Sequence, residues 1–124
     1  MELTGEAIER LSLDARITIA SMATEMGALI FLIPPGEQVL SYCSTRSEQK
    51  CIPVLADENA HYDEVYTIDA SSFIETISLP GNPENTVPVA KVVGKKIDSG
   101  FIGSCTNGRM EDMRIAAAIL KAMP

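Results

Sequence analysis

The chain has 124 residues, a formal net charge of −7 and 46% hydrophobic residues. These values fit one globular domain with a moderate core and exclude a disordered chain. They also exclude a nucleic-acid partner, because phosphate binding needs a concentrated group of lysine and arginine side chains. The longest apolar run, residues 27–35, is too short to span a bilayer, and no signal-peptide pattern opens the chain. We therefore expect a cytoplasmic protein without a membrane partner.

In chain order, helices alternate with strands. Ser12 is placed to cap the second helix, and Gly27 takes the position of a C-cap glycine. The last helix has acidic residues in its first turn, where the helix dipole favours them. The predicted helices are Gly5–Leu11, with Thr4 as its cap, Leu13 to about Met26, Glu37 to about Gln49, and Arg109–Ala122.

Apolar runs between these helices predict strands. Leu29–Ile33 is closed by two prolines and is typical of a buried strand. Val87–Val93 contains a proline, which favours an edge strand or an extended link, and Pro80–Asn85 predicts a loop. The alternation predicts a single α/β domain over residues 1–124, with a mostly parallel sheet covered by helices. The remaining predicted strands are Ile52–Ala56, Glu64–Asp69, Phe73–Leu79 and Phe101–Ser104.

Residues 103–109, Gly-Ser-Cys-Thr-Asn-Gly-Arg, join a predicted strand to the last helix. Cys105 would lie at the helix N-terminus, where the dipole and free N–H groups favour a thiolate. Ser104, Thr106 and Asn107 can hydrogen-bond to a sulfur atom or an anion. The alternative is a buried cysteine that packs as a small hydrophobic residue in a tight turn.

A polar stripe follows the second helix. Asp14, Thr18, Ser21 and Glu25 are spaced i, i+4, i+7 and i+11, so they share one helical face. The rest of this helix is largely apolar, which favours a stripe that faces a cleft and makes its carboxylates candidates for proton transfer. The alternative is an ordinary solvated face.

The other candidate ligands follow no recognised pattern. Seven residues separate Cys43 from Cys51, and no second cysteine pair completes a zinc site. We interpret both as unremarkable thiols. His61, the sole histidine, lies in an acidic segment and is interpreted as a solvated loop residue.

Residues 101–114, Phe-Ile-Gly-Ser-Cys-Thr-Asn-Gly-Arg-Met-Glu-Asp-Met-Arg, resemble the cluster-binding segment of the aconitase superfamily. Gly108-Arg109 resembles the large subunits of 3-isopropylmalate dehydratases and homoaconitases, whereas true aconitases usually carry a serine there. Residues 4–28 and 85–98 resemble the same subunits. The resemblance implies a three-layer αβα domain with a mostly parallel sheet, like an aconitase iron–sulfur domain.

The resemblance also implies residue roles. In this family three cysteine thiolates hold a [4Fe–4S] cluster, and the fourth iron binds a small hydroxy di- or tricarboxylate substrate. Cys105 matches one ligand, while Ser104 and Asn107 would lie beside the cluster. Glu25 matches a glutamate near the substrate hydroxyl. Ser21 stands where many relatives have an active-site asparagine. At this position the serine hydroxyl, in place of the asparagine amide, would donate the hydrogen bond to the substrate.

No CxxC follows Cys105, and one thiolate cannot hold a four-iron cluster. The resemblance therefore implies an internal piece of a large subunit. The enzyme would be 3-isopropylmalate dehydratase of leucine biosynthesis, which interconverts 2- and 3-isopropylmalate by dehydration and rehydration and needs a small swivel-domain subunit. Homoaconitase of lysine biosynthesis and a non-catalytic α/β binding module are the alternatives. We expect the isolated chain to lack the cluster and activity, and to self-associate through faces that other domains would cover.

Overall fold

The computed structural model describes residues 1–123, which form two compact units. One unit combines Met1–His61 with the chain from Ile102 onwards, and the other is Tyr62–Phe101. The α-helices of the described residues all lie in the first unit. They are α1 (Glu6–Glu9), α2 (Leu13–Ser21), α3 (Glu37–Ser44) and α4 (Met110–Ala122).

Helix α2 begins as predicted and ends early. The Ser12 hydroxyl accepts a hydrogen bond from the backbone N–H of Ala15 at 3.1 Å, which confirms the predicted N-cap. After Ser21 the N–H of Met22 donates to the carbonyl of Ile19, three residues back, and the chain continues as turns. Gly27, at φ 75°, closes these turns. The glycine therefore ends the turns that follow the helix rather than the helix itself.

Helix α4 is fixed at its N-terminus by its own third residue. The Asp112 carboxylate accepts hydrogen bonds from the backbone N–H groups of Arg109 (2.8 Å) and Gly108 (3.3 Å). The Ser12 hydroxyl also donates to the Glu111 carboxylate at 3.1 Å. This bond joins the starts of α2 and α4, which are about one hundred residues apart in the chain.

The second unit contains a small hairpin. Strand β1 (Thr76–Ser78) pairs antiparallel with β2 (Thr86–Pro88), and Ile77 lies opposite Val87. The connection follows the predicted loop Pro80–Asn85. Two 3₁₀ helices, Ala70–Ser72 and Val89–Lys91, lie outside the strands. The predicted strands at 73–79 and 87–93 are therefore each confirmed only over a few residues.

Several predicted strands are wrong. Ile52–Ala56, Glu64–Asp69 and Phe101–Ser104 form no strand, and Leu29–Ile33 contributes only a parallel bridge between Leu32 and Glu2. Apolar side chains in these runs lie in solvent, with Val54 87% and Phe101 90% exposed. A strand needs a neighbouring backbone to receive its hydrogen bonds, and an apolar run does not specify that neighbour. The described residues combine helices with strands, while the parallel three-layer arrangement stays a prediction.

The few buried residues of the first unit include a cation. Ala23 and Phe31 are its buried apolar side chains, and Arg16 is only 8% exposed. The Arg16 guanidinium donates to three backbone carbonyls, those of Glu9 (3.0 Å), Leu11 (3.3 Å) and Pro34 (3.0 Å). Hydrogen bonds to neutral carbonyls offset the cost of burying this charge.

Among the described residues, no helix is both long enough and apolar enough to cross a membrane.

Candidate functional site

An open pocket of about 490 Å³ lies at the N-terminus of α4. It is lined by Asp14 of α2 and by the consecutive residues 104–110. The cysteine corner predicted from the sequence is therefore a concave surface, and a carboxylate from another helix lies at its wall.

Ser104 and Asn107 shape the loop that carries Cys105. The Ser104 hydroxyl accepts from the backbone N–H groups of Thr106 (3.2 Å) and Asn107 (3.0 Å). The Asn107 side-chain carbonyl accepts from the N–H of Gly108 at 2.7 Å. These bonds turn the chain tightly around Cys105. Both side chains act on the loop backbone, and their predicted contact with a cluster stays a prediction.

Gly108 is required where the loop enters the helix. Its φ is +121°, a conformation that L side chains rarely adopt. A Cβ atom at this position would lie 2.7 Å from the Cα atom of Gly103 and 3.4 Å from the backbone nitrogen of Ser104. The two ends of the loop therefore approach so closely that a side chain at Gly108 would force them apart.

Cys105 lies at the exposed part of this loop as a free thiol. Its sulfur lies 3.9 Å from the Thr106 hydroxyl. The alternative of a buried cysteine packed in a turn is therefore wrong. The thiol is accessible to a ligand or reagent, and it lies before a helix N-terminus as predicted.

Two charged residues of the pocket were not chosen as site residues from the sequence. Asp14 belongs to the predicted polar stripe, and Arg109 belongs to the predicted start of the last helix and to the Gly-Arg pair that carries the family resemblance. The Arg109 Nε atom is buried and has no hydrogen-bond partner within residues 1–123. An arginine beside a thiol and a helix N-terminus could have indicated an anion site, but the sequence alone does not show that Asp14 joins it.

Ser21 and Glu25 do not line this pocket. The Ser21 hydroxyl donates to the carbonyl of Ile17 at 2.8 Å, and the Glu25 carboxylate accepts from the Thr24 hydroxyl at 2.9 Å. Both side chains are exposed. Because α2 ends at Ser21, Glu25 lies on the following turn, so the prediction of one continuous helical stripe is wrong at its last member. Their catalytic roles stay predictions.

The remaining candidates have different outcomes. His61 is exposed in an irregular segment, as predicted. Cys43 and Cys51 are both half-buried free thiols, and the Cys51 sulfur lies 4.0 Å from the carbonyl oxygen of Gln49. Within the described part of the chain, no group of three or more histidine, cysteine or acidic side chains is placed to hold a metal ion.

Comparison with known proteins gives consistent matches over nearly the whole chain. A model of the aconitase family (aconitate hydratase) matches residues 1–96 and 90–124. The 3-isopropylmalate dehydratase large subunit of Halothermothrix orenii is 47% identical over 121 residues, and that of Desulfitobacterium hafniense is 46% identical over the same length. The 3-isopropylmalate dehydratase large subunit 1 of Pyrococcus abyssi is 43% identical over 123 residues. Each match covers 98% of this chain and 29% of the relative, so the chain spans less than a third of these curated relatives.

Proposed function

This chain belongs to the aconitase family, and we propose that it is part of the large subunit of a 3-isopropylmalate dehydratase, a hydro-lyase of leucine biosynthesis. The observation that carries the proposal is the set of relatives with this name, which are 40–47% identical over 98% of the chain. The accessible Cys105 thiol in a pocket at a helix N-terminus supports it, because family resemblance assigns a cluster ligand to this position.

The residues at the pocket fit one corner of an iron–sulfur site. Cysteine thiolates hold such clusters, and Cys105 is free and exposed on a loop that hydrogen bonds hold in place. When bound, a [4Fe–4S] cluster with an open iron supplies Lewis-acid chemistry for dehydration. Cys105 would supply one thiolate, and Ser104 and Asn107 would keep its loop in shape. The other two thiolates would come from the remainder of the full-length subunit, so we expect the isolated chain to bind no stable cluster and to be inactive.

The one basic side chain that lines the pocket, Arg109, suits an anionic substrate. The partly buried Arg109 guanidinium carries a donor with no partner among the described residues, and guanidinium groups bind carboxylates well. We propose that this side chain attracts a carboxylate group of a small hydroxy acid. Glu25 and Ser21, exposed near the end of α2, are proposed to contact the substrate hydroxyl in the complete enzyme.

The same proposal includes the domain to which the chain belongs and the subunit with which it assembles. Residues 1–124 would be part of one three-layer α/β domain with a mostly parallel sheet, completed by the rest of the subunit. A small swivel-domain subunit would be the partner.

Apolar side chains such as Leu29, which is 99% exposed, favour self-association when the rest of the subunit and the small subunit are absent. The three free cysteines fit a reducing compartment, and we propose the cytoplasm.

A chimeric subunit tests this function. The 121 matched residues of the Halothermothrix orenii large subunit are replaced by this chain, and the product is expressed with the small subunit of that organism. After anaerobic reconstitution, cluster absorbance and dehydration of 2- and 3-isopropylmalate are measured. We expect both to be present in the chimera, lost in Cys105→Ser, and retained in the matched control Cys43→Ser.

Two results would overturn the proposal. A chimera with a full cluster that dehydrates homocitrate but not isopropylmalate would show a homoaconitase instead. A Cys105→Ser chimera that keeps the cluster and the activity would show that the ligand assignment is wrong.

A further inference from the structure

The first turn of α2 supplies one wall of the pocket that holds Cys105. Apart from residues 104–110, the pocket is lined by Asp14, the second residue of this helix. Asp14 is half-buried. The Thr18 hydroxyl donates to the backbone carbonyl of Asp14 at 3.1 Å, which leaves the carboxylate available to a molecule in the pocket. A negative charge from a distant part of the chain therefore borders the thiol loop.

The Ser12 hydroxyl holds this turn in two directions. It accepts a hydrogen bond from the backbone N–H of Ala15 at 3.1 Å, which closes the turn that contains Asp14. It also donates to the Glu111 carboxylate at 3.1 Å, which ties the turn to α4. Ser12 and Glu111 are both half-buried, so water competes less for this bond than at an exposed site. One hydroxyl thus links the turn of Asp14 to the other wall of the pocket.

The two acidic residues at the start of α4 have separate partners. Asp112 accepts from the backbone N–H groups of Gly108 and Arg109, both of which line the pocket. Glu111 instead accepts from the hydroxyl of Ser12. Among the described elements, α2 and α4 share little direct packing. The bond between Ser12 and Glu111 is therefore a principal connection between the two walls.

The pocket contains side chains of opposite charge. The Arg109 guanidinium can only donate hydrogen bonds, and its buried Nε atom has no partner within residues 1–123, whereas the Asp14 carboxylate can only accept. A carboxylate group that enters the pocket is attracted by the first side chain and repelled by the second. An uncharged donor such as a hydroxyl group is not repelled by Asp14 and can hydrogen-bond to it.

We propose that Asp14 is a specificity-determining residue of this pocket, which directs substrate carboxylates away from itself and toward Arg109. Ser12 and Glu111 are positioning residues that hold Asp14 at the pocket wall. This inference rests on the proposed function and narrows its substrate class. The pocket takes an acid that carries a hydroxyl group near its carboxylate, and it disfavours a second carboxylate beside Asp14.

The test uses the Cys105 thiol of the 124-residue chain as a reporter and needs neither a cluster nor dehydratase activity. The thiol is alkylated with iodoacetate or with iodoacetamide, and both rates are measured on the tryptic peptide of residues 97–109, which contains no other cysteine. Both reagents react with the same thiolate, but only iodoacetate carries a carboxylate. The ratio of the iodoacetate rate to the iodoacetamide rate therefore measures how readily a carboxylate enters the pocket.

We expect Asp14→Asn and Asp14→Ala, which both remove the charge, to raise this ratio about threefold. Ser12→Gly removes the donor to Glu111 and keeps a residue that is tolerated at an N-cap, so it should raise the ratio nearly as much. Ser12→Thr keeps the hydroxyl and should keep the wild-type ratio. The matched control Glu37→Gln removes a negative charge of the same unit that does not line the pocket, and should leave the ratio unchanged.

A double variant separates positioning from a general loosening of the loop. Once the charge of Asp14 is removed, a shift of its turn has no charge to move, so Ser12→Gly combined with Asp14→Asn should match Asp14→Asn alone. A further rise in the double variant, or a wild-type ratio in Ser12→Gly, would overturn the positioning role. Wild-type ratios in both Asp14 variants, with native circular dichroism, would overturn the role of Asp14. Neither result depends on cluster binding or turnover, so each is distinct from a failure of the proposed function.

Discussion

The close approach of Gly108 to Gly103 leads to a prediction with an internal control. Gly108→Ala would place a Cβ atom 2.7 Å from the Gly103 Cα atom, with the backbone at φ +121°. The obstacle is backbone rather than a flexible side chain, so the loop around Cys105 has to open. Gly5, in the same unit, has a similar φ of +106° and open space where its Cβ atom would lie.

The two substitutions separate backbone strain from steric overlap. An alanine at positive φ costs about 1–2 kcal/mol at either site. Forcing an extra carbon into occupied space costs about a further 1–3 kcal/mol, and only Gly108→Ala incurs this cost. We therefore expect Gly108→Ala to lower the free energy of unfolding by about 2–5 kcal/mol and Gly5→Ala by about 1–2 kcal/mol.

Urea unfolding followed by circular dichroism measures these differences, provided that the denaturant slope is unchanged. A second readout is the alkylation rate of the Cys105 thiol by iodoacetamide. That rate should change in Gly108→Ala, where the loop opens, and remain that of wild type in Gly5→Ala. Equal destabilisation of the two variants together with an unchanged alkylation rate would refute the account of the Cys105 loop.

Further predictions concern a helix terminus and a titrating carboxylate. Asp112→Ala removes the acceptor of the Arg109 N–H bond and should lower the free energy of unfolding by about 1 kcal/mol. The control substitution Lys121→Ala, at an exposed position of the same helix, should change the free energy of unfolding by less than about 0.5 kcal/mol. Equal effects of the two substitutions in urea unfolding would contradict the predicted role of Asp112. Hydrogen bonds from the side chain and backbone of Ser71 hold the pKa of Asp69 below its ordinary value. Since the folded pKa is lowered, the stabilisation of the Ala70–Ser72 turn is present above the ordinary pKa of aspartate and is lost as pH falls through the lowered pKa. The Ser71 amide resonance should therefore titrate with a midpoint below that of an unperturbed aspartate, and an ordinary midpoint would argue against the bond.

Local signals in the sequence predicted local structure well. Ser12 caps α2, the acidic first turn of α4 supplies its capping carboxylate, and the turn-forming residues 80–85 connect β1 to β2. Each signal acts within a few residues through a side chain that bonds to nearby backbone or through an allowed φ angle. The exposed Cys105 before a helix belongs to the same class. Its proposed role as a cluster ligand rests on the local pattern Ser-Cys-Thr-Asn and on family membership.

Predictions that needed a distant partner failed. Apolar runs such as Ile52–Ala56 have the composition of strands but form no ladder, because composition does not supply a neighbouring strand. Arg16 interrupts an apolar helix, and nothing local shows that three carbonyls surround it. Helix propensity likewise did not show that α2 ends at Ser21. Glu25 therefore does not lie on the helical face that the spacing predicted.

By itself, the sequence determined the thiol before the last helix, the Ser12 cap of α2 and the family of the chain. Only the tertiary structure decided that Asp14 lines the Cys105 pocket and that three backbone carbonyls surround the Arg16 guanidinium. Helix periodicity and capping are set by neighbours within about four residues. Contacts between distant segments depend instead on how the whole chain folds back on itself. Nothing in the sequence around either residue of such a contact identifies the other residue.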